Sequence, residues 1–360
     1  MNRTGGFFVP AWQNVEGFMD SHGNSDESGA REYHEDIRER VKASPVPGAL
    51  AQQVAENPFT PREATLNITQ NSFPILELTA QRDWLEASGR WKTLVQRGRL
   101  VDTQEGLIFV PKNPGYNINK WPAMRDDDLH ADVSIYESPF RNPDGTVPDG
   151  LYRACTDPYA HNQSTDSAPS LGATYIIKGT NNFSDTLNES IVAWWVSRPT
   201  VQDDYNDQLF KLLRYYNAML GFENDRGNII DYARNKKYLH FLETEFKLLF
   251  KKSLSSTNVK RNYGMHMTAQ RKEQGELYIR DWLNSKISTD DQKNEIKTLH
   301  TIMDIGLLNE LIKYNADGNF DRVSALMIGM YHQKENQSKK IVSQAEVNPL
   351  VEFLARDLFV

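Results

Sequence analysis

Apolar positions along the chain change period at about residue 150. Downstream come three short apolar runs: Leu151–Thr156, Gly172–Lys178 and Ser190–Ser197. Runs of this length, rich in β-branched and aromatic residues and bounded by Pro, Gly and Asn, predict buried strands. Arg198-Pro199 ends the third. Asp203 and Asp204 then open a helix to Leu220, with acids where the helix dipole favours them. Leu209, Leu212, Leu213, Tyr216 and Leu220 form its apolar stripe. Leu220-Gly221-Phe222-Glu223 follows as a short strand, and a helix starts near Asn228. Further helices are expected over Phe241–Lys252, Lys272–Asn284 and Glu295–Tyr314, with a strand candidate at Tyr263–Met267. A helix from Phe320 to Met330 is apolar nearly all round, so it belongs in a core.

Upstream the pattern is looser. Residues 1–64 are polar, Gly/Ser-rich and punctuated by Pro45, Pro47, Pro58 and Pro61, with one densely charged helix candidate at Glu32–Lys42. They predict a linker or docking arm. Residues 65–149 predict a helix over Phe73–Arg90, then a hairpin of Arg99–Asp102 and Gly106–Val110 turning at Gln104–Gly106. Pro111–Asp128 is rich in Pro, Gly and Asn. A core domain is expected over 150–340, and a C-terminal helix or tail over 341–360.

Composition narrows the class. The chain has 360 residues, 39% hydrophobic and 25% charged, as in a soluble globular protein. No apolar run approaches the roughly 20 residues of a membrane span, and the start lacks a signal-peptide core. One cysteine, Cys155, excludes an internal disulfide and a cysteine-rich zinc site, and fits a reducing, intracellular setting. A net charge of −7 does not suggest nucleic acid. Distribution changes that picture: Arg234–Lys272 holds ten basic residues against two acids, Glu243 and Glu245. Such a run is either a solvated face or a phosphate-contact surface, with Lys251, Lys252, Lys260, Arg261 and Lys272 the candidate DNA-binding residues.

Three antiparallel strands, a helix and a parallel fourth strand describe an α/β, ribonuclease H-like (RuvC-like) mixed sheet flanked by helices. In that layout strands one and four end side by side. Asp157 ends the first, Glu223 the fourth, and Asp321 stands in the first turn of the late helix. Asp166, before the second strand, is an additional candidate. An Asp before Pro158 also caps turns, which is its commoner role. Converging carboxylates repel one another and lose hydration. Two Mg²⁺ or Mn²⁺ ions, about 4 Å apart, would relieve both costs and could serve phosphodiester hydrolysis. His161 and His266 have no metal-spaced partner, and no G-x-x-x-x-G-K-[ST] loop occurs, so no ATPase is encoded here.

Several strings, in order, resemble the nuclease domain of tailed-bacteriophage terminase large subunits. They are Thr156-Asp157-Pro158-Tyr159, Ile191 to Pro199, Tyr215-Tyr216-Asn217-Ala218, Phe222-Glu223-Asn224-Asp225 and Asn319 to Leu326. The resemblance covers about residues 150–334, and residues 5–64 look like the segment joining that family's ATPase to its nuclease. It implies a metal-dependent endonuclease cutting concatemeric double-stranded DNA during genome packaging in the host cytoplasm. Its partners would be the packaging ATPase, the portal and the small terminase subunit. Asp157, Glu223 and Asp321 match the family's acids, and Asp166 sits where some members carry another. The family's ATPase is not in this sequence: either this is an isolated nuclease fragment or the ATPase is a separate chain. Two other functions stay open: a junction resolvase or transposase-like nuclease, and a latent docking module of the packaging motor.

Overall fold

A computed structural model describes residues 7–336, apart from 14, 45–47, 62, 66–70, 160–167, 185, 226, 247–262, 290–294 and 316–317. Asp166, Lys251, Lys252, Lys260, Arg261, His161 and the expected tail helix lie outside the described residues.

The N-terminal segment folds on itself. Helix α1 (Glu27–Lys42) begins where the Asp26 carboxylate accepts from Gly29 N at 3.0 Å, an N-cap that satisfies a free helix amide. Helix α2 (Ala49–Glu56) follows. Arg38 joins the pieces: its guanidinium lies 3.5 Å from the Phe59 ring centroid and donates to Glu63 and Asn57 O. Ala30 and His34 are buried beneath.

Helix α3 (Ile75–Ser88) ends at Gly89, whose φ of 63° suits a residue without Cβ. After α4 (Arg90–Leu94) come β1 (Gln96–Thr103), β2 (Gly106–Pro111) and β3 (Val133–Ile135). The sequence pattern showed the β1–β2 hairpin but not β3, which is only three residues long. The core strands β4 (Tyr152–Asp157), β5 (Gly172–Lys178) and β6 (Ile191–Ser197) are buried throughout. Helix α5 (Gln202–Tyr216) stops at Asn217, in the left-handed region at φ 48°, rather than running on to Leu220. β7 (Met219–Phe222), α6 (Ile229–Lys236) and α7 (Ala269–Leu283) follow. A small hairpin of β8 (Lys286–Thr289) and β9 (Glu295–Lys297) precedes α8 (Ile305–Lys313) and α9 (Asp321–Asn336).

The main sheet runs β2-β1-β3-β6-β5-β4-β7. Every neighbouring pair is antiparallel except β4 and β7, which are parallel. This is a mixed α/β fold, and β6-β5-β4-β7 is compatible with the ribonuclease H-like layout. One face packs on α5, where Tyr205 OH meets Thr156 and Thr174. The other packs on α9, flanked by α7 and α8. No helix among the described residues is long and apolar enough to cross a membrane.

Two expected helices are corrected. Over 241–246, the described part of Phe241–Lys252, no helix forms: a short 3-10 turn at Leu239–Phe241 ends there and the chain then extends beside β7. Glu243 N donates to Leu220 O and Met265 N to Phe222 O, satisfying an edge that helix formation would leave bare. Within Glu295–Tyr314, the helix starts only at Ile305. Asp304 accepts from Gly306 N at 2.9 Å and caps it, while Glu295–Lys297 pairs with β8.

Candidate functional site

Register brings two of the acids together. Thr156 on β4 pairs in parallel with Phe222 on β7, so Asp157 and Glu223 are the next residues on adjacent strand ends. Alternation sets their face. Cys155, two residues before Asp157, lies against Gly329 of α9, and Gly221, two before Glu223, lies against Ile328 of α9. Both carboxylates therefore belong to the α9 side. Asp321 opens α9, and its Oδ2 accepts from Leu171 N at 2.7 Å. Leu171 immediately precedes β5, whose Ala173 pairs with Asp157. Asp157 and Asp321 are buried and Glu223 is half-buried.

Three acids from three elements thus occupy one end of the sheet. Among the described residues no three His, Cys, Asp or Glu side chains stand close enough to hold a metal ion. The donor chemistry, carboxylate oxygens alone, fits Mg²⁺ or Mn²⁺. As placed, the side chains share a sheet end without closing around one point.

Around Glu223 the chain is cross-tied. Asn224 N donates to Met265 O at 3.0 Å, and Asp225 pairs with His266. Arg271 donates to His266 O and pairs with Glu245 at 2.8 Å. Lys272, its neighbour in the first turn of α7, is exposed. On the other side an open cleft of about 620 Å³ includes Arg125, His130, Tyr159 and Arg198. The Arg198 guanidinium lies 4.6 Å from the Tyr159 ring centroid and donates to Ser170 O. Burial lowers its pKa, and Tyr159 and Asp321 pull the other way.

Beneath Asp321 lies a charged group that residue patterns did not single out. Arg322 and Glu310 are both buried, with Nη1 to Oε1 at 2.6 Å. Glu310 Oε2 also accepts from Arg322 N at 2.9 Å and Val323 N at 3.3 Å. Asp304 faces the guanidinium at 3.8 Å and accepts from Tyr175 OH at 2.8 Å. Burial pushes the Glu310 carboxyl up to about 7 against the pull of Arg322. Burial also opposes the Arg322 charge, but Glu310 and Asp304 outweigh it and hold the guanidinium protonated. The available signal was one glutamate inside the apolar helix Ile305-Gly306-Leu307-Leu308-Asn309-Glu310-Leu311-Ile312.

No protein-family model and no curated protein matches this chain. Among solved structures, the large terminase nuclease from thermophilic phage G20c is similar to it, with a TM-score of 0.30 and 12% identity. The match covers 60% of this chain and 92% of that one. So loose a superposition transfers neither residues nor activity.

Proposed function

We propose that this chain is a divalent-metal-dependent DNA endonuclease acting in phage genome packaging. One observation carries the proposal: the parallel β4–β7 register sets Asp157 beside Glu223, at the sheet end where Asp321 meets Leu171. Burying carboxylates is costly unless positive charge meets them, and an oxygen-only set calls for hard cations. Asp157, Glu223 and Asp321 would hold Mg²⁺ or Mn²⁺, with Asp166 as a further donor. The ions would supply an activated water and stabilise the leaving oxygen. The chain's own part is to bring its acids to one end of the sheet and to keep the α9 face packed. Double-stranded DNA is the proposed substrate. The packaging ATPase, the portal and the small terminase subunit are the proposed partners, in the host cytoplasm; these follow from the sequence resemblance alone.

The test is plasmid nicking with Mn²⁺ and Mg²⁺. Asp157→Asn, Glu223→Gln and Asp321→Asn are each expected to lower the nicking rate at least about a hundredfold while the circular-dichroism spectrum stays that of the wild type. Undiminished nicking by Asp157→Asn and Asp321→Asn would remove the site. A strong preference for four-way junctions over linear duplex would move the function to a resolvase.

A further inference from the structure

Helix α9 begins without a cap of its own. Residue 320, at the N-cap position, is Phe320, whose ring stacks on Trp121 with centroids 4.5 Å apart and offers no acceptor. An uncapped first turn leaves free amides, and such turns fray. Here the missing acceptor comes from another helix. Glu310 of α8 reaches across the intervening turn and takes both Arg322 N and Val323 N on one oxygen. Its other oxygen takes the Arg322 guanidinium, whose remaining arm donates to Ile118 O. The first turn of α9 is thus held through its backbone and through a side chain, at the residue after Asp321.

We infer that Glu310 and Arg322 are positioning residues that hold the first turn of α9, and with it the Asp321 carboxylate, at the acid end of the sheet. A buried ion pair is a weak source of stability, because removing two charges from water offsets most of their attraction. What such a pair can fix is geometry. The pair is closely fitted: a Cβ on Gly306 of α8 would stand 2.7 Å from Arg322 Nε and Nη2, so the helix comes as near as a glycine permits. Asp304, bonded to Tyr175 of β5, ties the same guanidinium to the sheet that carries Asp157. Helix and strand are thereby referred to one buried charge. The role assigned to Asp321 rests on the nuclease proposal; the anchoring of its helix does not.

The experiment uses the full chain and two variants. Replacing both partners, Glu310→Met with Arg322→Met, removes the anchor but leaves the buried Asp304 carboxylate to Gly306 N and Tyr175 OH, so the melting temperature is expected to fall, though less than when Arg322 alone is replaced. Glu310→Gln keeps an oxygen for the backbone amides and serves if the double variant does not fold. Amide hydrogen exchange over residues 321–324 reads the anchor directly. It is expected to be at least about tenfold faster in the double variant and intermediate in Glu310→Gln. The Mn²⁺ concentration for half-maximal nicking is expected to rise about tenfold or more in the double variant. Unchanged exchange overturns the inference whether or not the protein is a nuclease. Faster exchange with unchanged Mn²⁺ dependence overturns the positioning role. A wild-type chain that does not nick with either metal removes the nuclease proposal, while the exchange measurement still decides the anchor.

Discussion

Gly329, in the middle of α9, lies so close to Cys155 of β4 that a Cβ there would stand 2.7 Å from the Cys155 sulfur and 3.0 Å from Ile177 Cδ1. This approach sets the distance between the helix that starts at Asp321 and the strand that ends at Asp157. Gly329→Ala gains about 1 kcal/mol of helix propensity and meets an overpacking cost of about 1–3 kcal/mol. A net loss of thermal stability is expected. Cys155→Ala in the same chain should recover much of it, because the sulfur is the nearest atom. Strictly additive effects in thermal unfolding would show that the two residues do not constrain each other.

Cys155 itself is fully buried, and burial pushes its thiol up to about 12. A raised thiol pKa disfavours the thiolate, the form that reacts. Modification by a disulfide reagent is therefore expected only through global opening, with a rate that follows unfolding in denaturant. Labelling within minutes in native buffer would contradict the packing around β4.

The N-terminal segment depends on Arg38, which serves Phe59, Glu63 and Asn57 together. Arg38→Ala is expected to remove about 1–2 kcal/mol of local stability, since the cation–π interaction is sheltered and the ion pair partly screened. Limited proteolysis should then cut within residues 7–64 roughly tenfold faster, while the α/β core remains intact. Equal cutting rates would mean that this segment is not held by its own side chains.

The basic run tests DNA binding. Replacing Lys251, Lys252, Lys260 and Arg261 with Ala is expected to weaken DNA binding and to flatten its salt dependence. The slope of log affinity against log salt should fall by about 0.9 for each phosphate that is no longer neutralised. An unchanged slope would make the run a solvated face.

Much of the core was legible because a strand buried on both faces is apolar at every position, and β4, β5 and β6 are such strands. α9 was legible for the same reason, an apolar circumference. Residues that depend on a distant partner were not. Leu242–Phe246 carries a helical pattern, yet the open edge of β7 recruits it as an extended segment. Val133–Ile135 is too short to stand out and is a strand only because β1 and β6 lie on either side.

By itself the sequence determined which segments must be buried and the order in which three acids follow them, since apolar periodicity is a local property of the chain. Tertiary structure decided what those acids can meet. The parallel register placed Asp157 beside Glu223, and Leu171 N took the Asp321 carboxylate. It also paired Glu310 with Arg322, two charges that composition would send to the surface. Desolvation makes a lone buried charge too costly to keep, so each is tolerated only where the fold supplies its opposite, and that meeting belongs to the packing of α8 on α9.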